Sequence, residues 1–190
     1  MSKVQYYCAT TLDGYIADPD DGIEWLTGYQ GTYDGEGVDP APMGEGGGYE
    51  AFYSEVGALV CGSVTYEWVL AHADAWPYSG KPCWVLSSRE LAEPDDQEAD
   101  VRVVRGEVAD LHEEMAASAA DGNLWIVGGG PVASQFAEAG LLDEVLLTVV
   151  PVALGEGKPL FERALPEPLT LTGARALANG MVKLSYSLRA

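Results

Sequence analysis

Leu124-Trp125-Ile126-Val127-Gly128-Gly129-Gly130-Pro131 is the stretch that decides the fold of this chain. Four apolar residues run straight into three glycines and a proline. That order reads as a buried strand leaving its sheet into the first turn of a helix. The helix has Pro131 at its first position and Gly140 just past its end, the expected asymmetry of helix ends. Ala133 stands where the third glycine of a G-x-G-x-x-G dinucleotide fingerprint would fall, so the motif is not that one. Three glycines let a ligand's phosphates approach the backbone closely, while the unpaired amides and positive dipole end of the helix favour an anion. A tight turn needing positive φ would also select glycine, and composition alone leaves the two readings level.

Working outward, the same grammar recurs. Val4-Gln5-Tyr6-Tyr7-Cys8-Ala9-Thr10-Thr11 reads as a first strand closed by the Asp13-Gly14 turn signal. Tyr49 to Glu55 reads as a short helix. Ala58-Leu59-Val60-Cys61 is a buried strand, and Gly62-Ser63 opens a helix through Leu70 with Ser63 as N-cap. Pro82 to Leu86 and Val101 to Val104 are further strands. Val108, Leu111, Met115 and Ala119 recur at helical spacing, which gives an amphipathic helix packed on the sheet. Val145 to Val150 is strand, and 169–178 with 181–188 form a hairpin around Asn179-Gly180. Alternating strands and helices with a terminal hairpin predict an α/β fold, a mostly parallel sheet with an antiparallel edge. The 190 residues fit one domain, 1–190. Within it Thr27 to Gly48, rich in glycine, is expected to be a flexible loop: a lid, a binding loop or disorder.

Two more strand ends carry anion-binding chemistry. Gly62-Ser63-Val64-Thr65-Tyr66 leaves a strand through glycine into a helix start, with two hydroxyls in the first turn. Leu86-Ser87-Ser88-Arg89 sets hydroxyls and a guanidinium at another. Each alone has a bland reading, a capped helix or a surface arginine. Three together in one parallel sheet, where ligands bind at the strands' carboxyl ends, point to one site.

Composition excludes several classes. Thirty acidic residues face ten basic ones, a net charge of −20. That repels a polyphosphate, so nucleic acid is not an expected partner. No Lys or Arg occurs between Lys3 and Lys81. Three scattered cysteines (Cys8, Cys61, Cys83) and two distant histidines (His72, His112) make neither a disulfide framework nor a metal site. Met1-Ser2-Lys3-Val4-Gln5 lacks the layout of a signal peptide, and no apolar run is long enough to span a bilayer. A cytoplasmic protein without a membrane partner is expected.

The chain resembles the dihydrofolate-reductase superfamily, and within it the C-terminal reductase domain of bifunctional riboflavin-biosynthesis deaminase–reductases. The resemblance is carried, in order, by Ala9-Thr10-Thr11-Leu12-Asp13-Gly14-Tyr15-Ile16-Ala17, Ala58-Leu59-Val60-Cys61-Gly62-Ser63-Val64-Thr65-Tyr66-Glu67 and Val85-Leu86-Ser87-Ser88-Arg89. It continues through Trp125-Ile126-Val127-Gly128-Gly129-Gly130-Pro131-Val132, Val145-Leu146-Leu147-Thr148 and Gly155-Glu156-Gly157-Lys158-Pro159-Leu160-Phe161. It implies a three-layer α/β/α sandwich that binds NADPH, with NADH not excluded. Ala9 and Ile16 would flank the nicotinamide ring. Gly62, Ser63, Val64 and Thr65 would hold the diphosphate, and Leu86, Ser87, Ser88 and Arg89 the adenosine end. Val127, Gly128, Gly129, Gly130, Pro131 and Val132 would cover the cofactor's other side, with the first Gly–Gly bond typically cis in this family. Thr148 would face the substrate cleft. A homodimer is implied by the resemblance only.

The chain departs from that pattern in instructive places. Ser63 stands where many members carry Arg or Lys for the cofactor's 2′-phosphate. Glu50 is the carboxylate nearest the position of the first-helix acid of true dihydrofolate reductases; it reads as a proton donor or as a solvated helix residue. Asp13 is a third candidate for catalysis and reads more simply as a turn residue. The Gly-rich loop offers Asp34, Glu36, Asp39 and Glu45 but no cation for a phosphoribosyl group, which Lys158, Arg163 or Arg175 would have to supply. No H-x-E…P-C-x-x-C deaminase signature is present. The leading expectation is a reductase that passes hydride from NADPH to a C=N or C=O bond of a heterocycle or a ribosylaminopyrimidine-like substrate. A true dihydrofolate reductase and a non-catalytic nucleotide-binding protein are the alternatives.

Overall fold

The computed structural model describes residues 2–32 and 48–188. Six parallel strands form the body of one sheet: β1 (Val4–Thr11), β3 (Val56–Gly62), β4 (Pro82–Leu86), β5 (Asp100–Val104), β6 (Asn123–Gly128) and β7 (Glu144–Val150). Two more, β9 (Thr170–Ala176) and β10 (Val182–Ser187), join antiparallel at one edge, giving the order β5-β4-β3-β6-β1-β7-β10-β9. A separate two-stranded ladder joins β2 (Tyr15–Ala17) to β8 (Lys158–Pro159).

Alternation along each strand sends side chains to two different cores. Val4 and Tyr6 of β1, with Val60, Trp84 and Ile126, face α4 (Val108–Ser118) and α5 (Gly130–Glu138), where Met115 and Phe136 are fully buried. Leu59, Cys61, Cys83, Val85 and Trp125 face the other way, toward α2 (Tyr49–Glu55) and α3 (Ser63–His72). Helices on both faces make this a three-layer α/β/α sandwich with a mostly parallel sheet and a C-terminal antiparallel hairpin, as the strand–helix alternation predicts. A smaller cluster of Val150, Leu177 and Met181 packs on Trp25 and Leu26 of α1 (Glu24–Thr27). Burying a large apolar side chain contributes ~1.5–3 kcal/mol, so the sheet is held from both sides by several such residues rather than by one.

Two local expectations are corrected. Ser63 is not the N-cap of α3: Gly62 occupies that position in extended conformation, and Ser63 is the first helical residue. The helix after the glycine corner begins at Gly130 with Gly129 as N-cap, so Pro131 is its second residue. The hairpin around Asn179-Gly180 forms where the sequence puts it. Gly180 alone has φ +84, its amide donates to the Leu177 carbonyl at 2.9 Å, and Leu177 and Met181 close the strand ends. The Thr27–Gly48 segment begins inside α1, and most of it, residues 33–47, lies outside the described residues.

Candidate active site

Parallel β3, β6, β1 and β7 end on the same side of the sheet, and their exits build the site. At the end of β3, Gly62 turns the chain into α3, and no side chain caps the first turn. At the end of β6, the Gly128–Gly129 peptide is cis and Gly129, φ −93° and ψ 175°, leads into α5, again without a side-chain cap. The first-turn amides of α3 are thus left for another acceptor, whereas in α5 Pro131 has no N–H and the Val132 amide donates to the Gly129 carbonyl at 3.1 Å, so the Gly130 amide is what that turn can offer.

The three glycines do three jobs, and none of them has positive φ. The turn reading is therefore not the reason for them. A Cβ on Gly128 would sit 3.1 Å from Thr65 Oγ1, so this glycine lets β6 close against the start of α3. A Cβ on Gly130 would overlap the Pro159 carbonyl oxygen, so this one lets α5 close against β8. A Cβ on Gly129 would meet only Pro131 Cδ at 3.5 Å and Thr65 Oγ1 at 3.9 Å. Its open side faces the cavity.

That cavity has a volume of about 770 Å³. Of the residues singled out from sequence, Ala9, Ile16, Val64, Thr65, Val127, Gly128, Gly129, Gly130, Pro131 and Thr148 line it together. Ala9 and Thr148 are register partners across β1 and β7, which sets them side by side on one floor. Gly62 and Val132 lie just behind the wall, with Val132 Cγ2 3.5 Å from where a Gly62 Cβ would stand.

Leu86, Ser87, Ser88, Arg89 and Ser63 are not in the cavity wall. They form a rim beyond it, tied by hydrogen bonds. Arg89 Nη2 donates to Ser63 Oγ at 2.9 Å and to Glu67 Oε2 at 2.7 Å, and the Arg89 amide donates to Ser87 Oγ at 3.0 Å. Arg105, at the end of β5, donates to the Ser88 carbonyl. Sequence reading missed Arg105, though a cation just past a strand end in so acidic a chain was a usable signal.

The two carboxylates proposed for catalysis fall elsewhere. Glu50 is exposed in the first turn of α2, outside the cavity wall. Asp13 is a turn residue. Its carboxylate accepts the Thr11 hydroxyl at 2.6 Å and the Gly155 and Leu154 amides at 2.7 and 3.2 Å. These bonds, the Thr11 hydroxyl foremost, hold its pKa below the usual value. Of the cations named from sequence, Lys158 lines the cavity and is 3.5 Å from Asp21, whereas Arg163 is bound to Glu138 at 2.7 Å. Arg175 lies on β9, outside the wall.

The rest of the wall was not found from sequence. Tyr7, Tyr49, Trp68, Tyr78 and Trp125 converge on it from β1, α2, α3, the loop before β4, and β6. Tyr7 stacks on Phe52 with ring centroids 4.2 Å apart, and Trp125 Nε1 donates to the Tyr7 carbonyl at 3.0 Å. Burial raises the phenol pKa of Tyr7, Tyr49 and Tyr78, so all three stay neutral. The Cys8 thiol is pushed up to about 12 by burial, which keeps it protonated at neutral pH.

The family model named RibD C-terminal domain matches residues 69–183. The protein YwjB of Bacillus subtilis (strain 168) is 32% identical over 186 residues, 97% of each chain. A crystal structure of a protein from Shewanella sp. PV-4, named for riboflavin biosynthesis, superposes with TM-score 0.76 at 29% identity, covering 97% of this chain and 98% of that one. Enterococcus faecalis dihydrofolate reductase, complexed with NADP(H), shares the fold at TM-score 0.57 and 18% identity, covering 99% of this chain and 97% of that one.

Proposed function

Because the chain belongs to the RibD C-terminal domain family, we propose that it is an NADPH-dependent reductase acting on a C=N or C=O bond of a small heterocyclic substrate. The observation that carries this is the convergence of two uncapped helix starts and the Gly128–Gly130 corner on one wall of one cavity. An open Cβ position at Gly129, 3.9 Å from the Thr65 hydroxyl at the start of α3, suits a diphosphate lying against backbone.

In this reading Val64, Thr65 and Gly128 to Pro131 hold the diphosphate. Ala9 and Ile16 flank the nicotinamide, and Leu86 to Arg89 surround the adenosine end. Arg89 and Arg105 give that end two guanidinium groups in place of the cation absent at Ser63, which favours NADPH over NADH. When bound, NADPH supplies the hydride. The chain's own part is to set donor and acceptor face to face over the Ala9–Thr148 floor and to exclude water with aromatic walls. Glu50 is outside the wall, and the wall's carboxylates among the described residues are Asp21, paired to Lys158, and Glu162; this reading assigns protonation to solvent rather than to a dedicated acid.

The same reading carries a single reductase domain over 1–190, in a cytoplasmic homodimer. Among the described residues no helix is long and apolar enough to cross a membrane. Titration with NADPH, followed by nicotinamide fluorescence, tests the proposal. Saturable enhancement at micromolar cofactor is expected, and no binding at millimolar cofactor would overturn it.

A further inference from the structure

Resting on that reading, we propose that the substrate half of the cavity takes a flat, uncharged, largely apolar aromatic ring system bearing a reducible C=O or C=N bond, and rejects substrates that carry a phosphate. The walls argue for it first. Tyr49 and Tyr78 meet Trp125 edge-on at 6.0 and 5.8 Å, and Trp68 closes the same space from α3. Trp125 has its indole N–H committed to the Tyr7 carbonyl, so it offers the cavity ring surface rather than a donor. Planar ligands gain from such offset and edge-on contacts at centroid distances of roughly 4.5–7 Å. The buried phenols stay neutral and add no charge.

Electrostatics argue for it independently. Among the described residues the charged side chains in the wall are Asp21, Lys158 and Glu162, and Lys158 is already paired with Asp21. No Lys or Arg occurs between Lys3 and Lys81, the stretch that supplies β1, β2, α1, α2, β3 and α3. Lys81 itself donates to the Val56 carbonyl with its ammonium 4.7 Å from the Tyr53 ring centroid. A phosphate beside Glu162 and Asp21 would be desolvated without a free partner, an arrangement that costs binding. Lys183, the register partner of Thr148, is a further cation, and its ammonium lies against the backbone at Gly48 outside the wall.

A matched pair of probes tests this with the full chain. Naphthol and naphthyl phosphate share one ring system and differ by the phosphate. Calorimetry at saturating NADP⁺ should give one naphthol per chain, bound at least tenfold more tightly than naphthyl phosphate. Trp68→Ala should weaken naphthol about tenfold while NADP⁺ affinity stays within twofold, and Lys183→Ala should leave the preference unchanged. Naphthyl phosphate binding as tightly as naphthol, or no heat with naphthol, overturns the inference. A phosphate preference lost in Lys183→Ala would name Lys183 as an anion seat instead. If NADP⁺ fails to bind, the reductase reading falls, while the naphthol comparison can still be made without it.

Discussion

Replacing Gly129 by valine isolates the backbone cradle. Gly129 sits at φ −93° and ψ 175°, extended backbone that valine adopts freely. The added Cβ meets only Pro131 Cδ at 3.5 Å and Thr65 Oγ1 at 3.9 Å, ordinary contacts, so the fold is expected to survive. The same Cβ points into the cavity where the diphosphate would lie against the helix starts. Hydrogen bonds to a charged group contribute ~1.5–3 kcal/mol each, and displacing two of them costs about 3–6 kcal/mol, roughly a hundredfold to ten-thousandfold in Kd. Gly130→Val supplies the contrast: its Cβ would overlap the Pro159 carbonyl, so it should destabilise the fold by ~1–3 kcal/mol. NADPH titration by fluorescence, with thermal unfolding of the same samples, separates the two effects. A Gly129→Val protein that binds NADPH with wild-type affinity would refute the placement.

Arg89→Ala should weaken NADPH by ~1.5–3 kcal/mol, about tenfold or more, and leave NADH unchanged, because in this reading the guanidinium, held by Ser63 and Glu67, meets the cofactor at the 2′-phosphate that NADH lacks; equal losses for both cofactors would contradict that role. Glu50→Gln should leave NADPH and naphthol affinities within twofold, since Glu50 lies outside the cavity; a tenfold change in either would restore it to the site. Asp13 has a folded-state pKa below its ordinary 3.8, set first by the Thr11 hydroxyl and then by the Gly155 amide. A depressed carboxylate contributes stability above the unfolded-state value and loses it as pH falls through the lower folded-state one. Asp13→Asn should therefore unfold more readily than wild type at neutral pH, with the gap closing as pH drops below 3.8; urea melts across that range check it, and a gap that widens in acid would contradict the assignment.

The parts legible in the sequence were those written in contiguous residues. Val4–Thr11, the Gly128–Pro131 corner and the 169–188 hairpin each carry period, punctuation and length in one stretch, and each folds where that pattern puts it. The cap of α3 was misassigned because a serine after glycine reads as a cap, while here the Ser63 hydroxyl is engaged by Arg89, a residue 26 positions away. The glycine corner was ambiguous because its reasons lie in Thr65 and Pro159, distant partners that composition does not name. The ladder β2–β8 and the helix α1 are two to four residues long, below the length at which period is visible. The aromatic wall draws on five separate segments and exists only once β1, β6 and α3 are packed. Asp13 and Glu50 stood out as carboxylates near family motifs, and the geometry gives one to a turn and the other to solvent.

A crystal structure of the full chain grown with NADPH would examine the central assignment most directly. Diphosphate density is expected against the amides of Val64, Thr65 and the Gly129–Gly130 corner, with the nicotinamide over Ala9 and its other face open toward Trp68 and Tyr78. Cofactor density at any other surface, with this cavity left to solvent, would contradict it.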